Sequence, residues 1–189
     1  MVILGIDPGF TSLGWALLDF SKARPRCVGA GVIRTKSDPK FKRCDDNKRR
    51  IGILASELAK LNKEHEPIVI AAEAQSWTRF QKADRAVAMA WGCLAALAEV
   101  WGCPVLQFRP QEIKATLCND SSASKKAVQT QIEANVQDAA VHLAKIRKTQ
   151  VNHAADALGA AYTALGHDVC QMVIGIRDEY NRRQTIGGK

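Results

Sequence analysis

An apolar run, Val2 to Ile6, ends in Asp7, and Pro8-Gly9-Phe10-Thr11-Ser12-Leu13-Gly14 follows before apolar residues resume at Trp15. The run is too short for a helix and is cut off by Asp-Pro-Gly, so it reads as a buried strand ending in a tight turn. Gly14 to Phe20 then returns as its antiparallel partner. The block sets a carboxylate at the tip of a buried strand. A buried charge is costly unless it is hydrogen-bonded, paired or bound to a cation, which makes Asp7 a candidate metal ligand. Asp also favours turns for local hydrogen-bonding reasons, and this block alone leaves both readings open.

The chain of 189 residues, 47% apolar, is about the length of one ordinary domain and can bury a real core. It has no apolar run of the roughly 18 residues that a membrane span needs. Its start lacks the basic segment, apolar stretch and small-residue cleavage site of a secretory leader. A soluble, cytoplasmic protein with no membrane partner is expected. Six cysteines (Cys27, Cys44, Cys93, Cys103, Cys118, Cys170) are scattered, with no C-x-x-C pair and no regular spacing to the four histidines. They read as reduced thiols and not as a zinc site.

Formal net charge is +8, and the excess is unevenly placed. Between Arg34 and Arg50 stand eight basic residues (Arg34, Lys36, Lys40, Lys42, Arg43, Lys48, Arg49, Arg50) against three acidic ones. A polyanionic partner is implied, with a solvated flexible loop as the alternative.

Cys27 to Arg34 alternates weakly as a third strand, closing an antiparallel meander. From about Lys48 to His65, Ile51, Leu54, Leu58 and Leu61 fall at helical spacing, and Pro67 closes that helix. Ile68 to Ala72 is an unbroken apolar run, as expected of a central strand covered on both faces, and it ends in Glu73. An Ala-rich helix runs from about Lys82 to Trp101, Gly102 stops it, and Pro104 to Phe108 gives one more strand. Helices are expected over 110–117, 124–144 and 152–165. Three antiparallel strands followed by strands alternating with helices describe a mixed α/β sheet with helices on its faces.

Glu73 stands, like Asp7, at the carboxyl end of a buried strand, where ligand sites of open α/β sheets lie. A third acid occurs in His153-Ala-Ala-Asp156-Ala-Leu-Gly-Ala-Ala, where the i, i+3 spacing puts His153 and Asp156 on one helix face. The rest of that helix is small and apolar, so it can lie tightly on a sheet. Each acid singly has a structural reading as a cap, salt bridge or solvated side chain. Three acids on buried elements are harder to dismiss.

Ile-Leu-Gly-Ile-Asp-Pro-Gly at positions 3 to 9, followed by Gly14, resembles the opening motif of the RuvC Holliday-junction resolvases. Ala72-Glu73 after an apolar strand resembles their second acidic motif. Arg109-Pro110-Gln111-Glu112-Ile113-Lys114, then Ser124-Lys125-Lys126-Ala127-Val128-Gln129, is similar to their lysine-bearing segment, and Asn152-His153-Ala154-Ala155-Asp156-Ala157-Leu158 to their closing motif. Four motifs in order cover roughly residues 2 to 166. The resemblance implies an RNase H-like fold with a five-stranded sheet, three strands antiparallel and two parallel, in a nuclease domain over 1–166 with a basic tail at 167–189. It implies a homodimer and metal-dependent cutting of two opposed strands in a four-way DNA junction. On the family pattern two Mg²⁺ ions serve the scissile phosphate, with Mn²⁺ as a substitute and no small-molecule cofactor. Asp7 bridges both ions, Glu73 and Asp156 bind one each, and His153 completes the second site or acts on the water. Lys114 and Lys125 contact phosphates, and Lys126, Arg79, Lys82 and Arg85 extend the track; Trp77 reads either as a base-stacking residue or as a core residue, with Phe80 the next stacking candidate.

There are departures. Many members carry Asp where His153 stands, and an imidazole shifts preference toward softer ions. The residue three after the second acid is usually aromatic, and here it is Ser76, with Trp77 adjacent. The segment Cys118 to Ser122 is less glycine-rich than the family's. The basic stretch at 34–50 and the tail also look unlike the cellular enzymes and fit a phage or prophage version. The Ala-rich helix is a candidate dimer seam, with burial against its own sheet as the other reading. Among other classes, Asp7-Pro8-Gly9-Phe10-Thr11 also fits the phosphate motif of actin-like ATPases and sugar kinases, but those need two such domains and the chain has room for one. A ribonuclease acting on RNA-DNA hybrids is the nearer alternative.

Overall fold

The computed structural model describes residues 1–74 and 81–187, with no account of several side chains at the start of the second long helix and near the C-terminus. The elements are β1 (Val2–Asp7), β2 (Ser12–Asp19), β3 (Arg26–Arg34), α1 (Arg43–His65), β4 (Val69–Glu73), α2 (Gln81–Trp101), β5 (Val105–Phe108), α3 (Pro110–Cys118), α4 (Lys125–Asn135), α5 (Ala139–Leu143), α6 (Val151–Ala164) and α7 (Asp168–Gly187). The sheet runs β3-β2-β1-β4-β5. β1–β2 and β2–β3 are antiparallel, while β1–β4 and β4–β5 are parallel. This is the mixed five-stranded sheet the sequence predicts.

Side chains alternate across a strand, and the alternation divides the core in two. Ile3, Ala16, Leu18, Val69 and Ala71 pack beneath α3, α4 and α6. Leu4, Ile6, Leu13, Leu17, Ile70 and Ala72 pack beneath α1 and α2, through Leu54, Leu58, Ala90 and Leu94. β4 is buried on both faces, as its unbroken apolar run requires. The parity carries through to the strand ends: Asp7 follows Ile3 and Gly5, and Glu73 follows Val69 and Ala71, so both acids face the α6 side.

α6 lies almost on the backbone of β1 and β2. A Cβ built on Gly5 would sit 2.0 Å from the Ala157 carbonyl oxygen, and one on Gly14 would sit 2.1 Å from that of His153. Gly5 and Ala157 are the contact that fixes the helix height. Ala157, Ala160, Ala161 and Ala164, all fully buried, complete the small face.

Two boundaries and the placement of one side chain differ from expectation. α1 begins at Arg43, five residues before Lys48, so part of the basic stretch is helical. The helix expected over 124–144 is broken: Val136 is extended and Asp138 takes a left-handed φ of 61°. The reason is a β-bridge to the edge of β3, where Cys27 N–H donates to Gln137 O at 2.9 Å and Gln137 N–H to Pro25 O at 3.0 Å. Arg50, counted above in the basic stretch that implied a polyanionic partner or a solvated loop, is buried. It donates to Thr35 Oγ1 and Thr11 Oγ1, each at 2.9 Å, and its guanidinium lies 4.0 Å from the centre of the Phe10 ring. It stitches α1 to the turn that follows Asp7.

After Gly166, α7 packs back on the domain through the fully buried Cys170, and Arg177 donates to the carbonyl of Lys22 at 3.0 Å. Among the described residues no helix is long and apolar enough to cross a membrane.

Gly5→Ala should push α6 off the sheet. A loss of about 3 kcal/mol or more in urea unfolding is expected, since overpacking against backbone cannot be relieved by a rotamer change; a loss below about 1 kcal/mol would mean that α6 does not rest where described.

A candidate metal-dependent nuclease site

Each candidate residue has a local reason for its position. Asp7 ends β1 paired with Gly14, and the His153 backbone packs on Gly14, which brings the first residues of α6 beside Asp7. His153 and Asp156 share one face of α6, one turn apart. Glu73 ends β4, parallel to β1 and next to it in the sheet. Ser124 caps α4, its hydroxyl accepting from Ala127 N–H at 3.2 Å, which sets Lys125 as the first helical residue. Pro110 at the start of α3 and Glu112, which accepts from Arg109 N–H at 2.6 Å, begin the helix that carries Lys114.

These side chains converge. His153 Nδ1 lies 2.6 Å from Asp7 Oδ2, and Lys125 Nζ donates to Asp156 Oδ2 at 3.1 Å. A cleft of about 270 Å³ is lined by Glu73, Asp156, Lys114 and Lys125, with Pro110, Ile113 and Val128 as its apolar wall. Asp7 and Asp156 are only 19% and 24% exposed, so their charges interact through a partly dehydrated medium.

The protonation behaviour follows from that crowding. Burial, with Asp7 and Asp156 adding repulsion, pushes the Glu73 carboxyl up to about 7. Burial also raises Asp156, against the opposing pull of Lys125. The hydrogen bond to Asp7 raises His153 and outweighs the effect of its burial. Burial opposes the charge of Lys125, but Asp156 and the other acids hold its ammonium above the ordinary range.

Two carboxylates in the cleft, with Asp7 and the His153 imidazole beside it, are donor types that suit hard divalent cations, the imidazole widening the choice beyond Mg²⁺. Among the described residues no group of three or more His, Cys, Asp or Glu side chains is arranged to hold a metal ion as it stands. Asp7 is hydrogen-bonded to His153 and Asp156 is ion-paired with Lys125, so two of the acids already have side-chain partners. The donors fit the expected metal chemistry.

Asp7, Glu73, His153, Asp156, Lys114 and Lys125 are thus brought together. Lys126 is not. It lines a separate open groove of about 550 Å³ with Cys118, Asp120, Ser124 and Thr130. Arg85 is exposed on α2. Ser76, Trp77, Arg79 and Phe80 lie outside the described residues, as does the side chain of Lys82. Arg50 was legible only as one more cation; its place behind the Asp7 turn rests on threonines distant in sequence.

Residues 3–164 match the family model of the crossover junction endodeoxyribonuclease RuvC. The chain is similar to the crossover junction endodeoxyribonuclease RuvC of Gloeobacter violaceus, 29% identical over 168 residues that cover 88% of this chain and 89% of that one. It is 32% identical to the protein of the same description from Pseudothermotoga lettingae over 133 residues, 70% of this chain and 78% of that one. Among solved structures it resembles T. thermophilus RuvC in complex with Holliday junction substrate, with a TM-score of 0.71, 26% identity, and coverage of 86% of this chain and 92% of that one.

The raised Glu73 gives a pH signature in the metal-free protein. A folded carboxyl at about 7, against the ordinary 4.5, favours folding fully below pH 4.5 and loses that contribution as pH rises through 7. Glu73→Gln removes the loss. At about pH 8 the variant should be more stable than the parent by on the order of 1–3 kcal/mol after solvent screening, and the gap should close near pH 5; parallel urea-derived stability curves across that range would refute the assignment.

Proposed function

Because the chain belongs to the RuvC family of crossover junction endodeoxyribonucleases, it is a metal-dependent endonuclease that resolves Holliday junctions, and we propose that Asp7, Glu73, His153 and Asp156 form its catalytic cluster. Its fold is the RNase H-like one. The observation that carries the proposal is a cleft lined by Glu73, Asp156, Lys114 and Lys125, beside which Asp7 and His153 stand as a hydrogen-bonded pair close enough to act electrostatically on both acids.

Asp7, Glu73, Asp156 and His153 are the ligands for two divalent cations, Mg²⁺ by the hardness of the oxygens, with Mn²⁺ accepted through His153. When bound, the pair activates a water at neutral pH and stabilises the charge on the departing 3′ oxygen. The chain's own residues supply the rest. His153 orients Asp7 through the 2.6 Å contact, which leaves its Nε2 to a cation or to the proton of the attacking water. Lys125 balances Asp156 at rest and turns to a DNA phosphate on binding, and Lys114 meets a neighbouring phosphate from α3. The apolar wall of Ile113 and Val128 lowers the local dielectric around the acids. Lys126 serves the same strand from the outer groove, and Trp77 and Arg79, between β4 and α2, complete the contact at the branch.

A homodimer deepens this reading. One cluster per chain cuts one strand, while resolution requires paired nicks at equivalent positions, which a two-fold dimer supplies. Ala90, Leu94 and Ala98 pack α2 on its own sheet, while Ala88, Gly92, Ala95 and Ala96 are exposed on the helix and no atom lies within 4 Å of a Cβ on Gly92. That small-residue face allows another helix a close approach. We place the enzyme in the cytoplasm, in keeping with six free cysteines.

Asp7→Asn should abolish cleavage of a synthetic four-way junction while leaving junction affinity within about twofold, since it removes cation affinity and spares the basic surface. Retention of most of the wild-type rate in Mg²⁺ would sink the assignment. Light scattering should return twice the chain's 20.6 kDa, and cuts mapped on the junction should fall on two opposed strands. A monomer on DNA, or cuts on a single strand, would defeat the dimer.

A further inference from the structure

Residues 36–43 join β3 to α1 and carry Lys36, Lys40, Lys42 and Arg43, all exposed. The segment is built from within. Asp46, 6% exposed, accepts from Arg49 Nη2 at 2.6 Å and from Asp38 N–H at 3.3 Å. The Arg49 guanidinium also donates to the Lys36 carbonyl at 2.6 Å, and Asp38 accepts from Lys40 N–H at 3.0 Å. Two of the three acids of this stretch are therefore consumed in holding its shape. The lysines project outward with Asp45 as the remaining acid.

The same arrangement presents an aromatic ring. Phe41 is 47% exposed, and Arg49 lies 5.6 Å from its centre. An exposed Phe among four cations is poor design for a solvated loop. The cations also sit badly for the helix they precede: Lys42 is an N-cap with no side-chain hydrogen bond, and Arg43 opens α1, at the end where positive charge costs stability. Local rules broken together in this way mark a functional surface.

Its place in the fold names the partner. Asp7 pairs with Gly14, Gly14 with Val32, and Ser12 with Arg34, so β3 leaves the sheet at the same end as the acids. Two strand spacings of ~4.8 Å separate Asp7 from Val32. Thr35, the root of the segment, is bound to the turn after Asp7, its N–H donating to Thr11 O at 3.0 Å. A DNA strand whose scissile phosphate lies at Asp7 passes its next few phosphates, one per ~3.4 Å of rise, along this border.

We propose that residues 36–43 are a second DNA-contact surface, in which Lys36, Lys40, Lys42 and Arg43 hold the phosphates of a junction arm and Phe41 stacks on a base left unstacked at the branch. The surface is separate from Lys114 and Lys125, and the proposal rests on the nuclease reading above. It divides the work: the cations bind any duplex, and Phe41 distinguishes a branch.

The test is equilibrium binding by fluorescence anisotropy over a salt series, in EDTA so that nothing is cut. Wild type, K36A/K40A/K42A and F41A are each titrated with a labelled four-way junction and with a linear duplex of its arm sequence. The triple variant should reduce the slope of log affinity against log salt by about two to three on both DNAs. F41A should lower junction affinity about tenfold and leave duplex affinity within about twofold. An unchanged slope would remove the segment from the phosphates, and an F41A effect that is absent, or equal on both DNAs, would overturn branch stacking. Failure of the wild type to cut the junction in Mg²⁺ defeats the nuclease reading instead, and the duplex slope still decides whether the segment binds DNA. The substituted lysines are exposed, and matching thermal melts confirm intact folding.

Discussion

Repulsion among three carboxylates held at one end of a sheet governs the rest of this molecule. Asp7 and Glu73 are fixed by the backbones of adjacent parallel strands, and Asp156 by a helix seated directly on them, so the charges cannot separate without moving the sheet. The protein answers with three different compensations. Asp7 has an imidazole, Asp156 an ammonium, and Glu73 a proton retained up to about 7. All three are exchangeable. On the proposed assignment a proton, an imidazole hydrogen bond and one ammonium would yield to a more concentrated positive charge, which a structural salt bridge does not do.

The tightness of the α6 contact is what keeps the cluster from relaxing. Gly5 and Gly14 leave no space between strand and helix, and the alanines of α6 continue that closeness along its length. Small residues bury little area each, so this contact is weak per residue in hydrophobic terms. Its value lies in position: backbone against backbone has no rotamers to adjust, and carboxylates mounted on such a joint keep their spacing. Arg50 extends the same logic to the other side of Asp7, clamping Phe10 and Thr11 from α1 so that the turn after the carboxylate is held from behind.

Much of this was legible in the sequence because it is written in short-range signals. A strand that ends abruptly in an acid, twice, and a helix of alanines carrying His and Asp at i, i+3 are local facts, and the order of the elements follows from them. What escaped depends on partners remote in the chain. The spacing of Val128, Ile132, Val136, Ala139 and Leu143 keeps a helical rhythm through a place where the backbone straightens, and the cause is the pairing of Gln137 with Pro25 and Cys27. Arg50 sits in a run of cations that composition assigns to the surface, while its partners Thr35 and Thr11 lie 15 and 39 positions away. That Asp7 and Glu73 share a face rests on the register Ile3 to Val69, and a slip of one residue would have sent Glu73 to the other side.

An acidic cluster and a polyanionic substrate are at odds, and the arrangement of charge resolves the conflict by distance. The acids are partly buried and individually compensated, so their field is short in reach. The cations of the segment 36–43 stand exposed, while Lys114 is half-buried at the cleft and Lys125 is paired with Asp156. Within a Debye length of about 8–10 Å an approaching duplex feels the exposed cations of a chain whose net charge is +8, and is drawn in. Only at contact does one phosphate come within reach of the acids, and there Lys125 has a choice between Asp156 and the DNA. If Lys125 is a phosphate ligand as proposed, its leaving the carboxylate would free Asp156 to serve as a cation ligand. On the proposed assignment, substrate binding and the freeing of Asp156 would be coupled, and acids that are paired or protonated at rest avoid the cost of three bare carboxylates held together.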